Sequence, residues 1–344
     1  MDKSNFDGVR IGLALIVFFA HLGILTDAPE FISFKYVFDS AFAVKGFFAI
    51  SGFLVGRSYL SSGGLADYAE KRIRRIFPAY ISTILFCLLI SAVTTSLTFS
   101  DFLASPQTLK YIVANLSLAN FLQPTLPGVF DGNPMQYLNG SLWTIKIELM
   151  LYFCIPPLIL LYRKCGAVKI SVIMFALSVA WAWYFEHAYR GLWGAEIARQ
   201  FPGQLSYFIV GLLLSFDQRI LARLKYVALM SVVALLVFDD WRFKLFLDPI
   251  AYATGVLYLS ILAMRNLGIG RFGDISYGIY LYHYPIIQLL IFCDIFERNV
   301  WLGLIVALFS TLMIAFASWH LLEKKWLKHG SRTKASMPLQ QKVS

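Results

Sequence analysis

Residues 6 to 23 read FDGVRIGLALIVFFAHLG, an apolar run with a cation, Arg10, near its start and an imidazole, His21, near its end. A bilayer-crossing helix needs about 20 apolar residues, each rising 1.5 Å, and this run with its neighbours supplies them. Arg10 and His21 stand eleven positions apart, which on a helix is about 1100° of rotation, within ~20° of three full turns, and a rise of roughly 16 Å. The two side chains therefore share one face, with Arg10 at its edge and His21 at depth. An ionisable group inside lipid costs at least ~2.5 to 3.5 kcal/mol, so that face is expected to line a cavity or to meet other polar groups. A buried imidazole rests neutral and can accept a proton. The alternative is a histidine that hydrogen-bonds a neighbouring helix and only holds it in place.

The rest of the chain has the same character. Of 344 residues, 58% are hydrophobic and 15% charged, and the apolar residues gather in long runs. The expected fold class is all-α: a polytopic membrane helix bundle with about ten transmembrane helices. The spans are expected at 9–26, 37–60, 78–98, 141–163, 168–188, 202–217, 225–238, 248–264, 275–293 and 299–322. The sixth and seventh are short for a hydrocarbon core of ~30 Å. Residues 111–123, YIVANLSLANFLQ, are too few to cross and are expected at the interface. Lys3 and Arg10 ahead of an apolar run also resemble a signal peptide, but the exit GILTDAPEF offers no small-x-small cleavage site, so the run is expected to stay as a helix.

Charge sets the expected orientation. With the N-terminus, the even-to-odd loops and the tail on one side, that side holds 21 of the 30 Lys and Arg residues; the other loops hold seven, and Lys45 and Lys146 lie inside spans. Arg265 and Arg271 belong to the richer side. Both termini are therefore expected in the cytoplasm, with the chain crossing the membrane many times. The net charge of +10 has this same origin, so it points to lipid and not to nucleic acid. One membrane domain over 1–322 is expected, followed by a disordered basic tail over 323–344. Cys87, Cys154, Cys165 and Cys293 show no CxxC spacing, so neither a disulfide framework nor a metal site is expected.

Four polar stretches carry the candidate chemistry. The first is the helix of Arg10 and His21. In YAEKRIRRIFPAY, Arg72 and Arg75 lie one turn apart ahead of Pro78; they suit positive-inside anchoring, and their guanidinium forks equally suit phosphates. In NGSLWTIKIELMLYF, residues 139–153, Asn139 and Ser141 can cap a helix that carries Glu148 two turns inside. Glu148 there can orient a histidine, balance Lys146 or Lys45, or bind an acceptor hydroxyl. In FGDISYGIYLYHYPII, His283 precedes Pro285, which frees a carbonyl and can kink the helix beside a cavity. Tyr280, Tyr282 and Tyr284 flank it, as a sugar path or as core. Residues 124–140, PTLPGVFDGNPMQYLNG, are the candidate acceptor gate.

Together these stretches resemble the acyltransferase 3 family of integral-membrane O-acyltransferases over nearly the entire chain. Its R-x10-H signature is matched by Arg10 and His21, and its F-F-x-x-S-G-F-L element by FFAISGFLVG with Ser51 and Gly52. RIRRIFP, NGSLWTIKIE with Trp143, SYGIYLYHYP and the closing HLLEKKW follow in the family's order. Lys45 departs from the family pattern, which leaves its role open.

The resemblance implies transfer of an acyl group, usually acetyl, from cytoplasmic acyl-CoA (acetyl-CoA) to a hydroxyl of an extracytoplasmic polysaccharide or oligosaccharide, such as an exopolysaccharide or O-antigen. It implies His21 as general base, supported by Arg10 and Glu148, and Arg72, Arg75 and Arg10 at the donor. Ser51, Lys45, Asn139, Ser141, Trp143, Tyr282 and His283 are the expected acceptor-side residues, and no metal is implied. A covalent acyl-His21 or acyl-Ser51 is the rival route. The alternative from another class is a transporter or flippase for a glycolipid or small anion, which also wants charge within the membrane. Oligomeric state stays open.

Overall fold

The computed structural model describes residues 5–238, 240–263 and 273–327. Among them the regular structure is helical throughout, with no strand. The longer helices are α1 (Phe6–Leu25), α2 (Ser40–Leu60), α3 (Leu65–Thr94), α4 (Pro106–Leu116), α5 (Trp143–Cys165), α6 (Ala167–Trp183), α7 (Phe201–Phe216), α8 (Leu224–Val237), α9 (Trp241–Tyr258), α10 (Ser276–Phe292) and α11 (Val300–Ser318). Seven helical stretches are long and apolar enough to cross a membrane, on α1, α2, α3, α5, α6, α9 and α11 with their flanking turns. The other three expected spans also form helices, but α7 has 16 residues, α8 14 and α10 17. The sequence's interfacial segment becomes the 11-residue α4 and a following 3-10 turn. Lys3, Arg265, Arg271, His329 and the tail from residue 328 lie outside the described residues.

Where a single membrane domain is expected, the chain divides into two compact units: Met1–Leu13, Ser40–Leu65 and Thr144–Gly270 in the first, and Ala14–Asp39, Ala66–Trp143 and Arg271–Ser344 in the second. In the first unit α2 crosses α7 with almost no side chain between them. A Cβ on Gly52 would lie 2.1 Å from the Phe208 carbonyl oxygen, and one on Gly211 would lie 2.1 Å from that of Ala49. Gly52 and Gly56 form a GxxxG stripe, and lipid-embedded helices associate through such close backbone contact because apolar side chains gain little by leaving hydrocarbon. The glycine of the SGFL element is thus explained by helix crossing. On α6, Ser178 accepts from the Ser206 amide of α7 at 2.8 Å.

In the second unit α10 is the central helix. Every residue from Ser276 to Gln288 is buried, so its polar groups on all sides must be met by protein. Phe18, Leu22 and Leu25 of α1 join Phe31, Tyr284, Ile287, Phe296 and Ala307 in one apolar cluster. The outer faces are the reverse. Ile81, Leu85, Leu89 and Val93 recur every fourth residue of α3, and Leu89 is 69% and Val93 81% exposed. Such a stripe, like Leu302, Ile305, Phe309 and Met313 on α11, is what hydrocarbon covers.

Residues 323–327, expected as the start of the tail, are helical. The helix that starts at Val300 runs on to Leu327. A π turn over Trp319–Glu323 turns Glu323 inward, where it is 1% exposed.

Candidate active site

Pro285 shapes the site through what it lacks. With no N–H, it leaves the Leu281 carbonyl, four residues earlier, without its helical partner. Asn139 fills the vacancy, its Nδ2 donating to Leu281 O at 2.8 Å. The same amide's Oδ1 accepts from the Ser141 N–H at 3.0 Å and so builds the turn leading to α5. Tyr280 adds a bond from its hydroxyl to the Ser141 carbonyl at 3.1 Å. The NGS stretch is therefore a clamp on α10, and this work falls to Asn139 where helix capping was expected. Farther along, Gln288 Nε2 donates to the Met135 and Tyr137 carbonyls at 2.6 and 2.7 Å, and Asn133 Nδ2 donates back to Gln288 Oε1 at 2.9 Å. The loop expected as an acceptor gate is pinned to α10 at these points.

This clamped helix presents His283 to His21. His21 Nδ1 lies 2.7 Å from His283 Nε2, with ring planes 12° apart and centroids 5.0 Å apart. The centroid separation exceeds the nitrogen separation by about the two ring radii, so the rings lie end to end in one plane and not face to face. His283 is fully buried, and its Nδ1 lies 3.0 Å from the Ile279 carbonyl. Ser141 Oγ is 3.5 Å from His283 Nε2, and the Tyr284 ring stands edge-on to His21 at 5.3 Å. Among the described residues no group hydrogen-bonds His21 Nε2.

The arginines of the second cluster have separate surroundings. Arg75 pairs with Asp274 through a short charged hydrogen bond and with Glu323 at 3.5 Å. Tyr277 and Trp319 rings flank it at 5.6 and 5.7 Å. From Glu323 the polar chain continues: Ser318 donates to Glu323 Oε1 at 3.1 Å, Tyr282 donates to Ser318 at 3.5 Å, and Tyr282 also hydrogen-bonds Ser82. Tyr282 is thus absorbed into this relay, on another side of α10 from the neighbouring His283. Arg72 stands over the Tyr68 ring at 5.9 Å.

The first unit has its own polar cluster. Glu148 Oε1 accepts from the Tyr152 hydroxyl and, at 3.4 Å, from Ser51; the two hydroxyls are themselves 3.4 Å apart. Lys45 Nζ lies over the Tyr207 ring at 5.3 Å and in the field of Asp248. Arg10 and Lys146 are half-buried in this unit, and Trp143, also half-buried, opens α5. Sequence reading missed Tyr152, Asp248, Asp274, Glu323 and Ser82 as partners. Tyr152 was within reach of the i, i+4 rule from Glu148; the rest meet their partners only through the fold. Among the described residues no group of three His, Cys, Asp or Glu side chains is placed to hold a metal ion.

Fold and site define a multi-pass helical membrane protein with a histidine pair in one unit and a half-buried serine-carboxylate cluster in the other. The acyltransferase domain model matches residues 3–320, and the chain belongs to that family. It is therefore an acyltransferase. It is 23% identical over 338 residues to the O-acetyl transferase of Shigella phage Sf6, covering 96% of this chain and 98% of that one. It is 28% identical over 353 residues to nodulation protein 10 of Rhizobium leguminosarum bv. viciae, covering 95% and 94%. Peptidoglycan O-acetyltransferase OatA of Listeria monocytogenes serovar 1/2a is 23% identical over 378 residues, covering 95% of this chain and 56% of that protein. No solved structure matches the chain.

Proposed function

We propose that this protein is an O-acetyltransferase that moves an acetyl group from cytoplasmic acetyl-CoA to a hydroxyl of an extracytoplasmic polysaccharide or oligosaccharide, with His21 as general base. The observation that carries the reading is His21 itself: half-buried in a membrane helix, bonded through Nδ1, with no partner among the described residues on Nε2. Family membership and two relatives named O-acetyl transferase or O-acetyltransferase support the class of reaction.

In this reading Nε2 takes the proton of the acceptor hydroxyl as its oxygen attacks the thioester carbonyl carbon. The carbon–sulfur bond then breaks, the ester is left on the glycan, and the imidazolium returns the proton to the departing thiolate. The donor's phosphates stay at the cytoplasmic mouth with Arg72 and Arg75. Arg75 also holds two carboxylates. Ser141, Asn139 and Trp143 of the second unit are assigned to the acceptor side. The shorter helices α7, α8 and α10 complete ten spans, with both termini in the cytoplasm and the chain in the inner membrane.

The test is expression of wild type and His21→Ala at matched levels in a host without its own copy, comparing ester-linked acetyl on envelope glycans by mass. Acetyl with wild type alone supports the reading and locates the acceptor. Equal acetylation by the variant removes His21 as base. A host in which purified wild type consumes no acetyl-CoA while a glycolipid or anion flux appears overturns the enzyme reading in favour of transport.

A further inference from the structure

The hydrogen bonds around His283 assign it a part in the reaction distinct from touching substrate. A backbone carbonyl can only accept, so the contact of His283 Nδ1 with Ile279 O at 3.0 Å requires the proton on Nδ1. A neutral imidazole has one ring proton, hence His283 Nε2 carries a lone pair. The nitrogen 2.7 Å away, His21 Nδ1, must then be the donor. That places the single proton of a neutral His21 on Nδ1 and its lone pair on Nε2.

We propose that His283 is a positioning residue that fixes the tautomer and ring plane of His21, so that the Nε2 lone pair is always the one presented to the reacting hydroxyl. The inference rests on the reading of His21 as base. Its residues form a chain with a fixed direction: the Ile279 carbonyl orders His283, and His283 orders His21. The Asn139 bond to Leu281 and the Tyr280 bond to Ser141 hold the turn of α10 that carries them. Free imidazole divides between its two tautomers and rotates about its side-chain bonds, and an orienting partner removes both freedoms. The arrangement parallels a hydrolytic triad's orienting carboxylate with a neutral ring in its place. A neutral partner stabilises the imidazolium less than a carboxylate would, so its removal costs orientation more than charge.

Three variants and one spectrum test this. With purified full-length protein in nanodiscs, acetyl-CoA as donor and a soluble glycan acceptor, His283→Leu is expected to lower kcat about 10- to 100-fold with the KM for acetyl-CoA unchanged. His283→Gln, whose amide oxygen can still accept from His21, is expected to regain most of that loss. Nitrogen-15 spectra of histidine-labelled wild type are expected to show His21 protonated on Nδ1, assigned by its loss in His21→Gln, and a mixture of tautomers in His283→Leu. Unchanged kcat in His283→Leu, failure of Gln to rescue, or a wild-type His21 protonated on Nε2 overturns the proposal. If His283→Leu does not fold, His283→Gln and the wild-type spectrum still decide it. Should the protein consume no acetyl-CoA, the reading of its function fails while the spectrum judges the pairing by itself.

Discussion

The second unit joins two imidazole rings end to end, whereas the first holds a half-buried carboxylate with two hydroxyls converging on one of its oxygens. In the His21–His283 pair each bond consumes one donor and one acceptor, and the chain ends on a lone pair, that of His21 Nε2. In the Ser51–Glu148–Tyr152 cluster the donors are spent on Glu148 Oε1, and Ser51 holds it only across 3.4 Å. The difference teaches that depth in a membrane does not by itself make a base. In the proposed reading, direction in the hydrogen-bond chain does, because it decides which atom is left to react.

The largest expected effect breaks this comparison outright. His21→Ala should lower acetyl transfer by about 10²- to 10⁴-fold, the range of a lost general base, while Ser51→Ala should lose less than about tenfold, as befits the removal of one long hydrogen bond. Single-turnover kinetics on both variants in nanodiscs measures it; the reverse order would move the chemistry to the first unit and favour an acyl-serine. A second effect concerns Arg75. Its loss takes a guanidinium from Glu323 and Asp274, and breaking a fully buried pair costs about 3 to 5 kcal/mol, an upper bound for this half-buried one. Arg75→Ala should therefore lower the thermal midpoint sharply, and Arg75→Met with Glu323→Gln and Asp274→Asn should recover much of it. A midpoint unaffected by Arg75→Ala would show that the ion pairs are not holding α3 to α10 and the end of α11.

Gly52→Val comes next, since it puts a branched side chain against the Phe208 carbonyl. Overpacking of this kind costs about 1 to 3 kcal/mol, read as a lower midpoint in the same assay with the His21 tautomer retained, because the change lies in the first unit. The smallest effect sharpens the second unit. Asn139→Ala leaves the Leu281 carbonyl without its donor, at about 1 kcal/mol, and Asn139→Asp, which keeps an acceptor for Ser141 but loses the Nδ2 donor, should recover none of it at Leu281. Chemical shifts of the Leu281 carbonyl separate the two roles.

Much of this was legible in the chain because lipid imposes simple rules. Long apolar runs located seven helices long and apolar enough to cross a membrane, and α10 was visible from 275–293 although its 17 residues fall short by length alone. The cost of burying ionisable groups drew attention to Lys45, Lys146, Glu148, His21 and His283. Their partners were not legible, for a physical reason: His21 and His283 are 262 residues apart and Arg75 and Asp274 199, and no local periodicity encodes a contact across such separations. Glu323 was read as the start of a disordered tail because its charged surroundings look like tail, and only the π turn shows it facing inward.

The sequence alone therefore determined the medium, the helices and the identity of the polar residues, since hydropathy, helical spacing and the missing N–H of Pro285 are properties of the chain itself. The tertiary structure decided which groups meet, and with that the tautomer proposed for His21. A proton's place on an imidazole is set by the partner across the hydrogen bond, and here that partner is supplied by a distant helix whose carbonyl leaves it one way to bond.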